Sequence, residues 1–180
     1  MNIDNSNKLV NPAFEKLFTE LYATHKPIKP VIKDDILILI GKVIVKFQRL
    51  EMTIGDFIST LLNFNSSFGN ILTNDLSFKN LLSLLGTLHY EIIENSTEIE
   101  ILLKEARKAE ELRNQIVHSI WLYGQTGATR WKKSNNNGKG KKVIFEEFSV
   151  GELEKIVDWI DKIDTSFGAL KFKELIKTEL

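Results

Sequence analysis

From Ile36, steps alternating four and three residues land on Ile40, Val43, Phe47, Leu50, Ile54, Phe57, Leu61 and Phe64, and all nine positions are apolar. A strand would alternate by two. The spacing therefore predicts one long helix with a 3.5-residue seam, roughly 45 Å long at about 1.5 Å per residue. A second column seven apart reads Leu37, Ile44, Glu51, Ile58. Glu51 stands where its heptad neighbours are aliphatic. That position suits either a partly solvated carboxylate at the rim of an interface or one facing a cleft.

The same reading extends both ways. Residues 1–10 are polar and predict a flexible N-terminus. Asn11-Pro12 has the form of a helix start, and Phe14, Leu17, Phe18 and Leu21 follow at helical spacing over about 12–24. "HKPIKP" ends that helix, because proline removes a donor and clashes with the preceding turn. "NFNSSFGN" has loop vocabulary. Ser77 caps a helix carrying Leu81, Leu82, Leu84, Leu85, Leu88 and Ile92, and Thr97-Glu98-Ile99-Glu100 has the capping-box form of another.

That helix runs through Leu102, Leu103, Ala106 and Ala109 into "ELRNQIVHSIW", whose expected core residues are Leu112, Ile116, Val117 and Ile120. Residues 124–148 then turn glycine- and asparagine-rich and basic. They predict a β-hairpin insertion with a strand at 142–148 and "SNNNGKG" as its turn. A second capping box, Ser149 to Glu152, opens a last helix with Leu153, Ile156, Val157, Ile160, Ile163 and Phe167 on one face. The expected architecture is all-α: an up-and-down bundle of about five helices in a single domain over 1–180, with the hairpin between the last two.

Composition narrows the function classes. The 180 residues carry 24 basic and 24 acidic side chains, so nucleic-acid binding must rest on local patches rather than net charge. There is no cysteine, hence no disulfide, thiolate metal site or cysteine nucleophile. Neither a signal-peptide pattern nor an apolar run of about 18 residues occurs, so a cytoplasmic protein without membrane attachment is expected. No two histidines have a metal-ligand spacing and no phosphate-binding glycine loop occurs, so neither metal nor cofactor is expected. His89 follows a leucine-rich face and reads as structural; His25, beside the prolines, reads as solvated.

Two stretches carry candidate chemistry. At about 100° per residue, Asn114 and His118 share one face of their helix, while Arg113 lies about 140° from His118. Steps back from Arg113 by four and seven reach Ala109 and Ala106, so the arginine extends a small-residue apolar column. In a plain bundle, Arg113 would pair with an acidic neighbour and His118 would serve a helix-end carbonyl. The second stretch holds Arg130, Trp131, Lys132, Lys133, Lys139, Lys141 and Lys142 with no acidic residue between them. It suits either phosphate contacts with the indole stacked on a base, or a solvated hairpin whose tryptophan packs on the bundle.

The R-x4-H pattern with asparagine directly after the arginine, "RNQIVH", followed by Ser119 and Trp121 at a helix end, resembles the HEPN superfamily. The long helix with "FQRLE" and the leucine-rich helix after it fit that superfamily's layout. The resemblance covers most of the chain in helix order and about ten residues in motif. It implies a metal-independent endoribonuclease that acts as a homodimer on RNA, of the kind found among toxins and phage-defence effectors, with an antitoxin or defence-system partner. It implies catalytic roles for Arg113 and His118, support from Asn114, and a weaker supporting role for Glu51. Its alternative is a non-catalytic bundle that binds a nucleotide, RNA or a partner protein, over which the intact Arg–Asn–His set favours the enzyme. A third class, drawn from the long seam rather than from the resemblance, is a structural dimerisation module.

Overall fold

The seam beginning at Ile36 folds as helix α1, Asp34–Leu61. Asp34 and Asp35 complement the positive end of its dipole. Ile36, Val43, Phe47, Leu50, Ile54 and Phe57 are buried as the spacing requires, joined by Leu39 and Ile58. Ile40 and Leu61 are half-buried, and Phe64 lies outside the described residues. The structure is a computed structural model. It describes residues 32–62, 66–93, 97–123, 128–135 and 141–178, with Lys16, Thr19 and Glu20; for 66–68, 70, 123, 128–135, 141–145 and 176–178 only the backbone is described. The chain divides into two compact units, Met1–Val31 and Ile32–Leu180. In the first, Lys16, Thr19 and Glu20 are helical, and the remainder of the expected 12–24 helix and of residues 1–10 lies outside the described set.

Four more helices complete the second unit: α2 (Ser66–Thr73), α3 (Phe78–Ile93), α4 (Thr97–Val117) and α5 (Val150–Thr178). Contacts along each pair give the directions. Gly55 lies against Thr73, and Ser59 against Gly69, so α2 runs opposite to α1. Phe47 meets Phe78 and Phe57 meets His89, so α3 runs with α1. Arg113 lies on Phe47 and Glu110 is felt at Glu51, so α4 runs against α1. Lys173 bonds Glu98 and Trp159 bonds Glu105, so α5 runs against α4. The result is an up-and-down bundle of five helices around α1.

Capping places the ends. Asn80 N–H donates to Ser77 Oγ at 3.3 Å at the start of α3. Ser149 and Glu152 form a reciprocal box: Glu152 N–H donates to Ser149 Oγ at 3.2 Å, while Ser149 N–H donates to Glu152 Oε2 at 2.8 Å. Between α4 and α5 stands a three-stranded antiparallel sheet in the order β1 (Ile120–Tyr123), β2 (Ala128–Asn135), β3 (Lys141–Phe148). The expected hairpin is present as β2–β3, with Trp131 opposite Phe145.

Two local expectations give way. The loop-like segment after α1 contains helix α2, which packs so closely that a Cβ on Gly69 would overlap the Ser59 side chain. Helix α4 stops at Val117, and Ile120 starts β1. Val117 and Ile120 are therefore exposed rather than in the core, whereas Ile116 is fully buried.

A polar seam joins α1 to α5. Asp164, only 3% exposed, accepts from Arg49 Nε at 2.8 Å and from Thr53 Oγ1 at 2.5 Å. Lys46 Nζ reaches Asp161 Oδ1 at 2.5 Å and holds that carboxyl below its ordinary range. Among the described residues no helix is long and apolar enough to cross a membrane.

Candidate functional site

The last carbonyls of an α-helix have no intrahelical donor and must be satisfied from outside. At the end of α4 three of them are. The backbone N–H of His118 donates to Asn114 O at 3.0 Å. Ser119 Oγ donates to the Gln115 carbonyl. The indole of Trp121 reaches back from β1, and its Nε1–H donates to Ile116 O at 2.9 Å. The Trp121 ring is fixed in turn by an edge contact with Phe148 on β3, with centroids 5.6 Å apart. The sheet thus closes the helix end, and the chain leaves it at His118.

This termination puts the His118 side chain at the surface. With Glu111, Asn114, Gln115 and Ser119 it lines an open groove of about 410 Å³. Asn114 and His118 occupy the same groove, as their spacing of four requires. Val117, Ile120 and Leu122 are exposed apolar residues of the same chain segment. Among the described residues that line the groove, Glu111 carries the one carboxylate and His118 the one imidazole.

Arg113 does not line that groove. Ala106 and Ala109, fully buried, precede it on its column. The guanidinium carbon lies 4.4 Å from the centroid of the Phe47 ring, a cation–π geometry worth about 0.5–2 kcal/mol depending on desolvation. Its Nε is buried without a hydrogen-bond partner, which costs about 1–3 kcal/mol. No ion pair to Arg113 exists among the described residues, so the neighbouring acid that a plain bundle would supply is not bonded to it.

The Arg113 charge is felt at Glu51. Burial pushes its carboxyl above the ordinary range; the Arg113 charge opposes that shift and the Glu110 charge adds to it. Glu51 lines a second groove of about 400 Å³ with Gln48, Met52, Gly55, Thr73, Asn74, Leu76 and Leu81. Glu51 is thus both partly solvated and on the wall of a groove. It links that cleft electrostatically to Arg113.

For the basic stretch the backbone alone is described, and Lys139 lies outside the described residues. Arg130, Trp131, Lys132 and Lys133 are on β2, Lys141 and Lys142 on β3. The register sets Arg130 opposite Glu146, so acidic positions face the base of the stretch. His89 is buried, with its ring in edge contact with Phe57 at 6.4 Å. No group of three or more histidine and acidic side chains converges among the described residues, which leaves Arg113, Asn114, His118 and Glu51 as the groups with chemistry to explain.

Sequence spacing did not anticipate four residues. Phe47 is the platform under Arg113, yet within its seam it is one apolar residue among nine. Trp121 and Ser119 act by closing α4, which needs the position of β1. Asp164 had a readable signal: it lies four after Ile160 and three before Phe167, inside the buried arc of α5. No family model matches the chain, and no curated protein and no solved structure matches it.

Proposed function

We propose that the chain is a HEPN-type endoribonuclease that cleaves RNA through its own 2′-hydroxyl, working as a homodimer. The observation that carries this reading is the placement of His118 with Asn114 in an open groove, at a helix end fixed by three carbonyl contacts. A histidine so held can take the 2′-hydroxyl proton as the oxygen attacks phosphorus. The P–O5′ bond then breaks, and a second histidine returns a proton to the departing 5′-oxygen. The products are a 2′,3′-cyclic phosphate and a 5′-hydroxyl, and the substrate itself supplies the nucleophile. Asn114 orients the imidazole or contacts phosphate.

Negative charge that builds on the phosphoryl oxygens needs a cation, and the described residues that line the groove of one chain include Glu111 but no arginine. In this reading the charge is met by Arg113 of a second copy, whose planar donors suit a phosphorane-like state. A two-fold axis beside the α4 end would gather two Arg113 and two His118 side chains, and the exposed Val117, Ile120 and Leu122 would supply apolar contact. The basic positions of β2 and β3 then bind flanking phosphates. A cytoplasmic toxin or phage-defence effector, silenced by an antitoxin or another defence-system partner, is the corresponding biological role.

A second reading, a non-catalytic bundle that binds nucleotide, RNA or a partner protein, is favoured by the separation of Arg113 from the His118 groove within one chain. One experiment decides. Wild-type protein, Arg113→Ala and His118→Ala are each incubated with RNA and the termini of the fragments identified. Cyclic phosphate ends from wild type alone are expected. Cleavage by both variants at the wild-type rate overturns the assignment, and intact RNA with wild type selects the binding role.

A further inference from the structure

The groove over Glu51 is built differently from the one at His118. Its volume, about 400 Å³, falls within the roughly 300–1,000 Å³ common for small-molecule sites. Leu76, Leu81 and the bare backbone of Gly55 give it an apolar wall, and Met52, 71% exposed, overhangs it with an unbranched thioether. Gly55 lets α2 come close along that wall: a Cβ there would stand 3.3 Å from Thr73 Oγ1. Polar contacts come from the amides of Gln48 and Asn74 and the carboxyl of Glu51.

Glu51 is the unusual member. It is half-buried in the groove, and among the described residues no hydrogen bond or ion pair reaches it, so its carboxyl is partly withdrawn from water with its acceptors open to a ligand. A partly buried carboxylate in that state is completed best by two adjacent N–H groups on a flat ligand. Among the four RNA bases, guanine alone presents two neighbouring donors, N1–H and the N2 amino group, on its pairing edge. Adenine and cytosine each offer one donor beside an acceptor, and uracil one donor between two acceptors. An ionised carboxylate only accepts, so it meets those edges with a repulsive contact.

We propose that the groove between α1, α2 and α3 binds a guanine base, with Glu51 accepting from N1–H and N2–H, and with Gln48 and Asn74 addressing O6 and the ring nitrogens. The choice of a nucleobase as occupant rests on the RNA or nucleotide reading above. The face of the base lies on Leu76, Leu81 and Met52, as single-stranded bases do on apolar platforms.

Titration of the full chain with GMP, AMP, CMP and UMP by calorimetry tests this. GMP is expected to bind tighter than AMP by about tenfold or more. Glu51→Gln should abolish that preference while the helical circular dichroism is kept, because the amide replaces one acceptor by a donor. Lys108→Ala, outside both grooves, should bind GMP as wild type does. Equal affinity for GMP and AMP, no binding of either, or an intact preference in Glu51→Gln overturns the proposal. The outcomes separate it from the cleavage reading. RNA cleavage without guanine preference removes this groove's role alone, and GMP preference in a protein that leaves RNA intact supports the groove and removes catalysis alone.

Discussion

Replacing Trp121 by phenylalanine isolates the closure of α4. The substitution keeps an aromatic ring against Phe148 and removes one donor, the indole N–H that reaches Ile116 O at 2.9 Å. A net hydrogen bond contributes about 1 kcal/mol, and an acceptor left dry costs about 1–3 kcal/mol. Water can reach a helix end in part, so a loss of about 1–2 kcal/mol is expected. At this chain length each kcal/mol moves Tm by about 2–4 °C, which gives a fall of about 2–8 °C. The loss should also be local. The His118 amide, which donates to Asn114 O in the last turn, should exchange with solvent faster than amides in the middle of α4. Calorimetry and amide hydrogen exchange read the two effects. If Tm and the exchange of that turn both match wild type, the sheet does not hold the helix end, and the fixed placement of His118 loses its physical basis.

Three further outcomes follow from the described contacts. Arg49→Met leaves the carboxylate of Asp164, 3% exposed, without its cation and should cost about 3 kcal/mol in urea denaturation; Asp164→Asn leaves Arg49, 61% exposed, in water and should cost about 1 kcal/mol. The reverse order would show that the pair is not as buried as its geometry requires. Glu51→Gln should raise Tm at neutral pH. Burial raises the folded-state pKa of Glu51, so its contribution is present below the ordinary value of 4.5 and lost as pH rises through the folded value; a gain equally large below pH 4.5 contradicts that cause. His118→Ala, at an exposed position, should change stability by less than about 0.5 kcal/mol, so a larger drop in Tm would mean that lost activity cannot be read as lost chemistry.

How far the sequence reached depended on whether the relevant contact was local. The seam of α1 and the apolar face of α5 were legible because burial repeats with the helix itself. The box at Ser149 and Glu152 was legible because both partners lie within one turn. Helix α2 was not, because "SSFGNILT" has loop composition; what makes it a helix is the approach of Gly69 to Ser59 and of Thr73 to Gly55, a tertiary gain that outweighs propensity. Strand β1 was hidden for the same reason. "IWLY" continues an apolar helical pattern, and only pairing with β2 turns it into a strand. The candidate site divides along this line. Asn114 and His118 on one face followed from spacing, whereas Arg113 on Phe47 and Glu51 in a separate groove required the packing of α4 on α1.

That packing also constrains what the two halves of "RNQIVH" can do. The stem of Arg113 is held on the core side: its column and its ring partner are buried and its Nε lies beyond water, while the residue as a whole stays half-exposed. His118 is committed outward, one residue past a helix whose last carbonyls are taken. Rotating α4 to bring one toward the other would expose Ile116 or bury the charged Glu111, each at a cost of about 2 kcal/mol or more. The two groups therefore do not meet by a small adjustment within one chain. If the protein cleaves RNA, either a second chain supplies the missing cation at each groove, or the arginine is a structural charge and His118 works with Asn114 alone. Mixing Arg113→Ala with His118→Ala distinguishes these. Restored cleavage in the mixture, when neither variant cuts by itself, requires one chain's Arg113 beside the other's His118. A mixture as inactive as both variants fits a site that needs both histidines, since the mixed dimer keeps one. His118→Ala inactive with Arg113→Ala active leaves the arginine to the fold.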